Sequence, residues 1–331
     1  MERNAKIDNV KFFLICCVVL GHIGNTFAPV NHLVACSQLW VYLFHMPAFV
    51  FLSGLFSKRT VNEKRWDKIL PYIILFVFMK SVIFFGTSIT DYPNNSLIQF
   101  SVDGGAPWYA LAMFWWGAAT IIMKDVKPSY VLSVSVFLAA MAGYATDLGS
   151  FLSVLRTLVF YPFYYRGYIT DTASLIKAVD TVKAKIVSWV VIIVSILRCF
   201  LLYDKLIVWR NLFRGSFHFS ALNVGISYSW GWLWRIAGYI ISFVLTLSVI
   251  SIAPGFKSVF SRIGQRTLSV FVFHAILQHF TSPWVTLFIN TGKTGRAVCI
   301  IWMLCIVFFT SLPPFEWTVR QIMNVPMKNK E

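Results

Sequence analysis

The sequence of 331 residues is 58% hydrophobic and only 13% charged, whereas soluble proteins carry about a quarter charged residues. This composition excludes a soluble enzyme and predicts a polytopic membrane protein, because repeated apolar runs approach the ~20 residues that span a bilayer. The formal net charge of +16 does not indicate nucleic-acid binding, since membrane proteins concentrate Lys and Arg in cytoplasmic loops. The six cysteines form no CxxC or Cys/His cluster, so neither a metal site nor a disulfide framework is predicted.

Hydropathy predicts an all-α protein with about ten transmembrane helices. The predicted spans cover residues 9–28, 33–56, 69–88, 107–123, 129–145, 151–169, 186–203, 228–252, 266–282 and 296–314. No internal repeat or soluble appendage is visible between them. We therefore interpret residues 1–331 as a single transmembrane domain, with residues 316–331 as a short cytoplasmic tail.

The basic residues of the loops fall unevenly on the two sides of this arrangement. With the N-terminus in the cytoplasm, nineteen loop Lys and Arg residues lie on the cytoplasmic side and five on the far side. The positive-inside rule therefore predicts a multi-pass protein of the cell membrane with both termini in the cytoplasm. Loops 57–68 and 170–185 are then cytoplasmic, and loops 89–106 and 204–227 face outward.

The first span carries three ionisable residues, Asp8, Lys11 and His22. The step from Lys11 to His22 is three helical turns plus about 20°, so both side chains share one helix face, roughly 16 Å apart along the axis. Asp8 precedes Lys11 by three residues and can pair with it. Ionisable residues are costly inside a bilayer and indicate a functional site. The alternative is a lysine that snorkels to the headgroups and a histidine that only packs.

The second span places His45 near its middle, and Pro47 follows two residues later. A proline removes a backbone hydrogen bond, which predicts a kink in this helix. Ser53 and Gly54 allow a neighbouring helix to approach closely near the end of the span.

Five basic residues remain after the others, including those at span ends, have been sorted to the two sides, and they lie inside predicted spans: Lys11, Lys80, Arg156, Arg198 and Arg235. The spans contain very few acidic residues to pair with them. An interior rich in cations favours an anionic ligand, such as a phosphate or diphosphate. Arg156 and Arg198 lie near span ends, where snorkelling is the alternative.

Two stretches resemble the acyltransferase-3 family of integral-membrane acyltransferases. They are Asp8-x-x-Lys11 with His22 after ten further residues, and FHMPAFVFLSG at 44–54. Supporting stretches are KRWDKILPY at 64–72, APWYALAMFW at 106–115, LRTLVFYPFYYRGY at 155–168 and IGQRTLSVFVFH at 263–274. The chain is most similar to the fucose 4-O-acetylase-like branch. It departs from many members by having Lys11 in place of an arginine, and Arg166 at a usually apolar position.

The resemblance implies transfer of an acyl group, usually acetyl from acetyl-coenzyme A, to a hydroxyl of a carbohydrate or glycolipid. It implies His22 as general base or, alternatively, as an acyl-accepting relay, and His45 as a residue that orients the donor or stabilises charge. The candidate donor-binding residues are Asp8, Lys11, Arg59, Arg65, Lys68 and Lys80. Further pocket candidates are Trp108, Arg156, Arg235 and His274. No metal and no permanently bound cofactor is expected, because acetyl-CoA acts as a co-substrate.

Two other functions fit the same residues. A transporter of an anionic solute would use the intramembrane cations as its substrate path and would show solute flux without covalent change. A structural or lipid-interacting scaffold would use the histidines for packing only, and His22→Ala would then leave its function intact.

Overall fold

The computed structural model describes residues 4–89, 101, 105–148, 151–222 and 228–325. Throughout these residues the chain forms helices and short connections, with no β-strand, which confirms the prediction of an all-α protein. Most of the predicted outer loop 89–106 lies outside the described residues. The same holds for residues 223–227 of loop 204–227 and for residues 326–331 of the tail.

Local signals mark several helix starts. The side chain of Asn4 accepts a hydrogen bond from the backbone N–H of Lys6 at 2.9 Å, which caps the first helix. Pro128 and Pro313 each begin a helix, at a position where a missing N–H breaks no intrahelical bond. The helices are α1 (Ala5–Phe27), α2 (His32–Tyr42), α3 (His45–Phe56), α4 (Lys58–Asn62), α5 (Pro71–Ile89), α6 (Trp108–Met123), α7 (Pro128–Met141), α8 (Val154–Ile169), α9 (Thr172–Val179), α10 (Val182–Leu201), α11 (Tyr203–Leu206), α12 (Arg210–Arg214), α13 (Gly231–Ile252), α14 (Val259–Gly264), α15 (Thr267–Val285), α16 (Lys293–Thr310) and α17 (Pro313–Met323).

Within the described residues, six segments are long and apolar enough to cross a membrane, so this is a multi-pass membrane protein. The six are Ala5–Phe27, His32–Phe56, Trp66–Phe85, Val182–Leu201, Tyr228–Ile252 and Lys293–Thr310. The other four predicted spans coincide with α6, α7, α8 and α15, which do not combine the required length and apolarity. The number of ten spans and the cytoplasmic position of both termini therefore stay predictions.

Hydrogen bonds between distant segments define two ends of the helix bundle. At the end that holds the start of α1, which we call the proximal end, Lys6 Nζ donates to the Ser251 carbonyl at 2.8 Å and to Asp180 at 3.1 Å. At the opposite, distal end, the amide of Asn31 donates to the Gly292 carbonyl at 3.2 Å. Residues from both halves of the chain therefore meet at each end.

The second predicted span is broken at Leu43 and Phe44, between α2 and α3. Two carbonyl groups at the break receive side-chain donors. The Nδ1 atom of His45 lies 2.8 Å from the carbonyl oxygen of Val41. The hydroxyl of Ser242 donates a hydrogen bond to the carbonyl of Leu43. Such partners are needed because lipid supplies no hydrogen bonds to irregular backbone.

Pro47 lies in the first turn of α3, where N–H groups have no intrahelical partner. The sequence predicted a kink at the proline, but the span is broken before it, at Leu43 and Phe44. The proline fits the start of the second segment.

Glycine lets α3 and α8 touch backbone to backbone. A Cβ atom at Gly54 of α3 would overlap the carbonyl oxygen of Tyr164, and one at Gly167 of α8 would overlap the carbonyl oxygen of Phe51. The close approach predicted at Gly54 is confirmed, and α8 is its partner.

The segment interpreted as a tail from residue 316 begins inside α17. The carboxylate of Glu316 forms an ion pair with Arg266, with 2.7 Å between Oε2 and Nε, and a second ion pair with Arg320. Asn324, which follows the helix, accepts a hydrogen bond from Lys68 Nζ at 3.3 Å. The end of the described chain is thus tied to loop 57–68 at the proximal end.

Gly54→Ala is expected to destabilise the protein strongly, because the new methyl group would meet backbone that no rotamer change can move. Adding a methylene to a packed interior typically costs about 1–3 kcal/mol, and occasionally more. Thermal unfolding in detergent measures the effect. Gly255→Ala is the matched control, since a Cβ there meets nothing within 4 Å. Equal unfolding midpoints for the two variants would contradict the close crossing.

Candidate active site

A cavity of about 410 Å³ extends from the proximal end into the bundle. We call it the proximal cavity. Lys11, Thr60 and Lys68 line it near the proximal end, and His22 lines it about three turns further along α1. The remaining walls are mostly apolar and aromatic and come from α1, α3, α6, α8 and α15. This shape suits a long, narrow ligand with a charged outer end.

A second cavity, of about 260 Å³, lies towards the distal end. We call it the distal cavity. Its described polar lining consists of His22, Asn25, Tyr42, His45, Arg156 and Arg214. These side chains can donate and accept many hydrogen bonds, as a hydroxyl-rich ligand requires.

His22, Met46 and Trp108 line both cavities, so the two cavities adjoin at these residues. His22 is the one among them with acid–base chemistry. Lys11 and His22 line the same proximal cavity, which confirms the prediction that they share one face of α1. Trp108 is buried, with 6% of its surface exposed, and belongs to the cavity wall and not to an interfacial belt.

Two further histidines stand next to this junction, each with one ring nitrogen engaged. His274 Nδ1 lies 2.7 Å from the Phe271 carbonyl, and His45 Nδ1 bonds in the same way to the carbonyl four residues before it. A carbonyl only accepts, so both Nδ1 atoms carry hydrogen and both Nε2 atoms are acceptors in the neutral rings. The Nε2 atom of His274 is buried and has no hydrogen-bond partner among the described residues. The ring centroids of His22 and His274 are 5.1 Å apart.

The charged residues of the proximal cavity form a small network. Lys11 Nζ pairs with one oxygen of Asp8 at 3.3 Å, as predicted, and lies 4.2 Å from the centroid of the Phe56 ring. The amide of Gln265 donates to the other Asp8 oxygen at 3.0 Å. Asp8 therefore orients Lys11 towards the cavity while its own charge is solvated by two donors.

The proximal cavity also contains a pair of hydroxyl groups that sequence reasoning did not assign to the site. The Ser53 and Tyr109 oxygens are 2.6 Å apart, and both residues line the cavity. Ser53 follows His45 by eight residues, close to two helical turns, so the spacing could have placed it on the same face. Asn25 was missed as well, although it follows His22 by one turn.

The sequence of the chain was compared with known proteins. The family model described as "Acyltransferase domain" (Acyl_transf_3) matches residues 4–314, nearly the whole chain. The chain belongs to the acyltransferase-3 family. The resemblance stated from the sequence is thereby confirmed at the level of the family.

Nodulation protein NolL of Mesorhizobium japonicum (strain LMG 29417 / CECT 9101 / MAFF 303099) is 25% identical to the chain over 192 residues. The match covers 51% of this chain and 48% of NolL, so the chain spans about half the length of this curated relative. No solved structure matches the chain.

Several of the residues predicted to bind the donor lie outside both cavity linings. Arg59 pairs with Glu63 at 3.0 Å, and Arg65 pairs with Asp67 at 2.9 Å. Lys80 lies 5.9 Å from the centroid of the Phe76 ring. The arrangement therefore brings only Lys11, Lys68 and, through Lys11, Asp8 to the proximal cavity.

Arg235 also lies apart from the two cavities. It is 1% exposed, donates to the Leu212 carbonyl, and has its guanidinium carbon 5.4 Å from the centroid of the Phe219 ring. These contacts attach α13 to the segment after α12 and give Arg235 a packing role. Arg166, the unusual residue for the family, is exposed at the end of α8. Among the described residues, no group of three or more His, Cys, Asp or Glu could hold a metal ion.

Thr60→Cys and Asn25→Cys should react with a membrane-impermeant maleimide from opposite sides of the membrane. Thr60 lines the proximal cavity and Asn25 the distal one, and the positive-inside rule predicts the proximal end in the cytoplasm. The background should lack the native cysteines, since Cys305 is exposed. Labelling of both positions from the outside would contradict the predicted orientation.

Proposed function

We propose that this acyltransferase transfers an acetyl group from cytoplasmic acetyl-CoA to a hydroxyl of a carbohydrate or glycolipid, as in the fucose 4-O-acetylase-like branch. The observation that carries the proposal is that His22 lines both cavities. A donor in the proximal cavity and an acceptor in the distal cavity would meet at this histidine. The protein would act in the cell membrane, with its proximal end in the cytoplasm.

The proximal cavity supports a coenzyme A thioester as donor. Lys11 and Lys68 line it near the proximal end and can bind phosphate groups by charge-assisted hydrogen bonds. The pantetheine arm is long and thin, and the cavity walls beyond Lys11 are mostly apolar. His22 lies roughly 16 Å beyond Lys11 along α1, which lets the thioester reach the histidine while the phosphates stay outside.

The reaction needs one proton transfer at the junction. The acceptor hydroxyl attacks the thioester carbonyl, its oxygen–carbon bond forms, and His22 takes the hydroxyl proton as general base. The carbon–sulfur bond then breaks, and the proton passes to the departing thiolate of coenzyme A. His274 Nε2, a buried acceptor, can take the N–H of His22 and so turn the other His22 nitrogen towards the hydroxyl.

Hydrogen-bond donors of the proximal cavity would stabilise charge at the carbonyl oxygen, whereas His45, whose Nε2 is an acceptor, would orient the substrate. The tetrahedral intermediate carries an oxyanion, which needs preorganised donors at hydrogen-bond distance. The hydroxyl pair of Ser53 and Tyr109 lines the same cavity as His22 and can supply such a donor.

His22→Gln should lower the rate of acetyl transfer by about 10²–10⁴, because glutamine forms hydrogen bonds but cannot accept the proton. The measurement is incorporation of radiolabelled acetyl from acetyl-CoA into glycan and lipid fractions of membranes that contain the variant. His274→Leu should also be slow, whereas His274→Gln, which keeps an acceptor, should retain more activity.

The matched control is His279→Gln, on α15 but outside both cavity linings. Near-normal transfer by well-folded His22→Gln would remove the general-base role from this residue and leave His45 as the next candidate.

An anion transporter is the second candidate, because two adjoining cavities also resemble a substrate path. The two functions differ in covalent outcome. Proteoliposomes that accumulate a labelled anion without acetylating any acceptor would favour transport. Acetyl transfer by the purified protein without solute flux would favour the enzyme.

Lys11→Met should weaken acetyl-CoA binding by roughly tenfold to a hundredfold, since a hydrogen bond to a charged group contributes about 1.5–3 kcal/mol. Lys11→Arg should bind almost as well as the parent, because guanidinium keeps the charge and adds donors. Calorimetric titration of the purified variants measures the dissociation constants.

Lys293→Met, which removes one exposed charge at the distal end, is the control for net charge. Asp8→Asn tests the alternative in which Lys11 serves only as the partner of Asp8. If Lys11→Met binds acetyl-CoA as the parent does, Lys11 has no part in donor binding.

A further inference from the structure

The distal cavity carries more positive charge than a neutral sugar needs. Arg156 and Arg214 both line it, together with His22 and His45, and no Asp or Glu is among its described lining residues. No carboxylate forms an ion pair with Arg214 among the residues that the structure describes. Its guanidinium carbon lies instead 5.4 Å from the centroid of the Phe217 ring.

Arg214 is held at this place by packing around the end of α12. The helix ends at Gly215, whose φ of +69° is strained for residues with a side chain. A Cβ there would also lie 3.0 Å from side-chain atoms of Val159 and Phe160 of α8. Arg235 binds the Leu212 carbonyl within the same short helix. The turn is therefore fixed against α8.

Arg156 approaches the cavity from α8 itself. It precedes Val159 by three residues, so it lies one turn from the surface against which Gly215 packs. Its guanidinium carbon lies 5.0 Å from the centroid of the Trp108 ring, at the junction with the proximal cavity. The two arginines thus belong to one packed unit beside His22.

We propose that the acceptor is anionic, with a carboxylate or a phosphate on the acetylated sugar or on its immediate neighbour, and that Arg214 and Arg156 bind this group. The inference rests on the proposed function, because it assigns the distal cavity to the acceptor. Guanidinium groups match carboxylate and phosphate oxygens with paired donors. Arg214 has no carboxylate partner among the described residues, and a neutral sugar would supply none. The phosphates of the donor do not meet this need, since Lys11 and Lys68 receive them at the other end of the proximal cavity.

The first test identifies the product. Surface glycans and lipids from cells that contain the protein and from cells that lack it are compared by mass spectrometry. The proposal expects that the species losing its acetyl group contains a uronic acid or a phosphate at the acetylated sugar or next to it. An uncharged acceptor would overturn the anionic acceptor alone. If no species loses an acetyl group, the proposed function itself fails.

The second test uses that acceptor after removal of its acetyl group, with purified wild-type protein and Arg214→Gln. The KM for the acceptor should rise roughly tenfold to a hundredfold in Arg214→Gln, with the KM for acetyl-CoA unchanged. Lys205→Gln removes one exposed charge from the same end of the bundle and should not change either value. Arg214→Lys should recover part of the loss.

A third test uses an acceptor whose anionic group has been chemically neutralised, in combination with the wild-type protein and with Arg214→Gln. Reduction of the carboxylate to an alcohol, or enzymatic removal of the phosphate, should raise the KM of the wild-type protein as much as Arg214→Gln does. Combining the neutral acceptor with Arg214→Gln should add little, because both changes remove the same interaction. Equal use of charged and neutralised acceptor by the wild-type protein would overturn the proposal, even if Arg214→Gln fails to fold.

Discussion

Inside a bilayer every backbone carbonyl must find a donor within the protein, and the break between α2 and α3 meets this constraint with side chains. The ring of His45 binds the Val41 carbonyl, and Ser242 of α13 binds the Leu43 carbonyl. The same bonds leave His45 Nε2 beside α1, 3.9 Å from the position of a Cβ at Gly21. Because α3 begins here, its second residue, Met46, lines both cavities.

Features set by neighbouring residues could be predicted from the sequence. Helical periodicity placed Lys11 and His22 on one face, and a spacing of three residues predicted the pair of Asp8 and Lys11. The close approach at Gly54 followed from its small size. The ion pairs that engage Arg59 and Arg65 are also local, and attention to the nearby acids would have removed both residues from the candidate site.

Features that depend on tertiary packing could not be predicted in this way. Arg214 and His22 come together only because the end of α12 packs against α8. The residue pattern within each helix does not predict this contact between helices. Arg235 is the opposite case, a residue that was selected from the sequence but lies outside both cavities. It was a pocket candidate because it is a cation inside a span, yet its hydrogen bond to Leu212 gives it a role in positioning that turn. A buried cation in a sequence can therefore belong to the packing between helices and not to a ligand site.

The two cavities hold their positive charge in different ways, and this difference bears on what each can bind. Lys11 has a carboxylate at 3.3 Å and an aromatic face beneath it, so its charge is compensated before any donor arrives. An ammonium has three donors, and it can keep Asp8 while it binds a phosphate. Arg214, by contrast, has no carboxylate partner among the described residues and lies over the ring of Phe217. A ring face supplies about 0.5–2 kcal/mol of attraction and no anionic charge. The distal cavity therefore gains more from an anionic ligand than the proximal cavity does, and the acceptor is the ligand that can bring it.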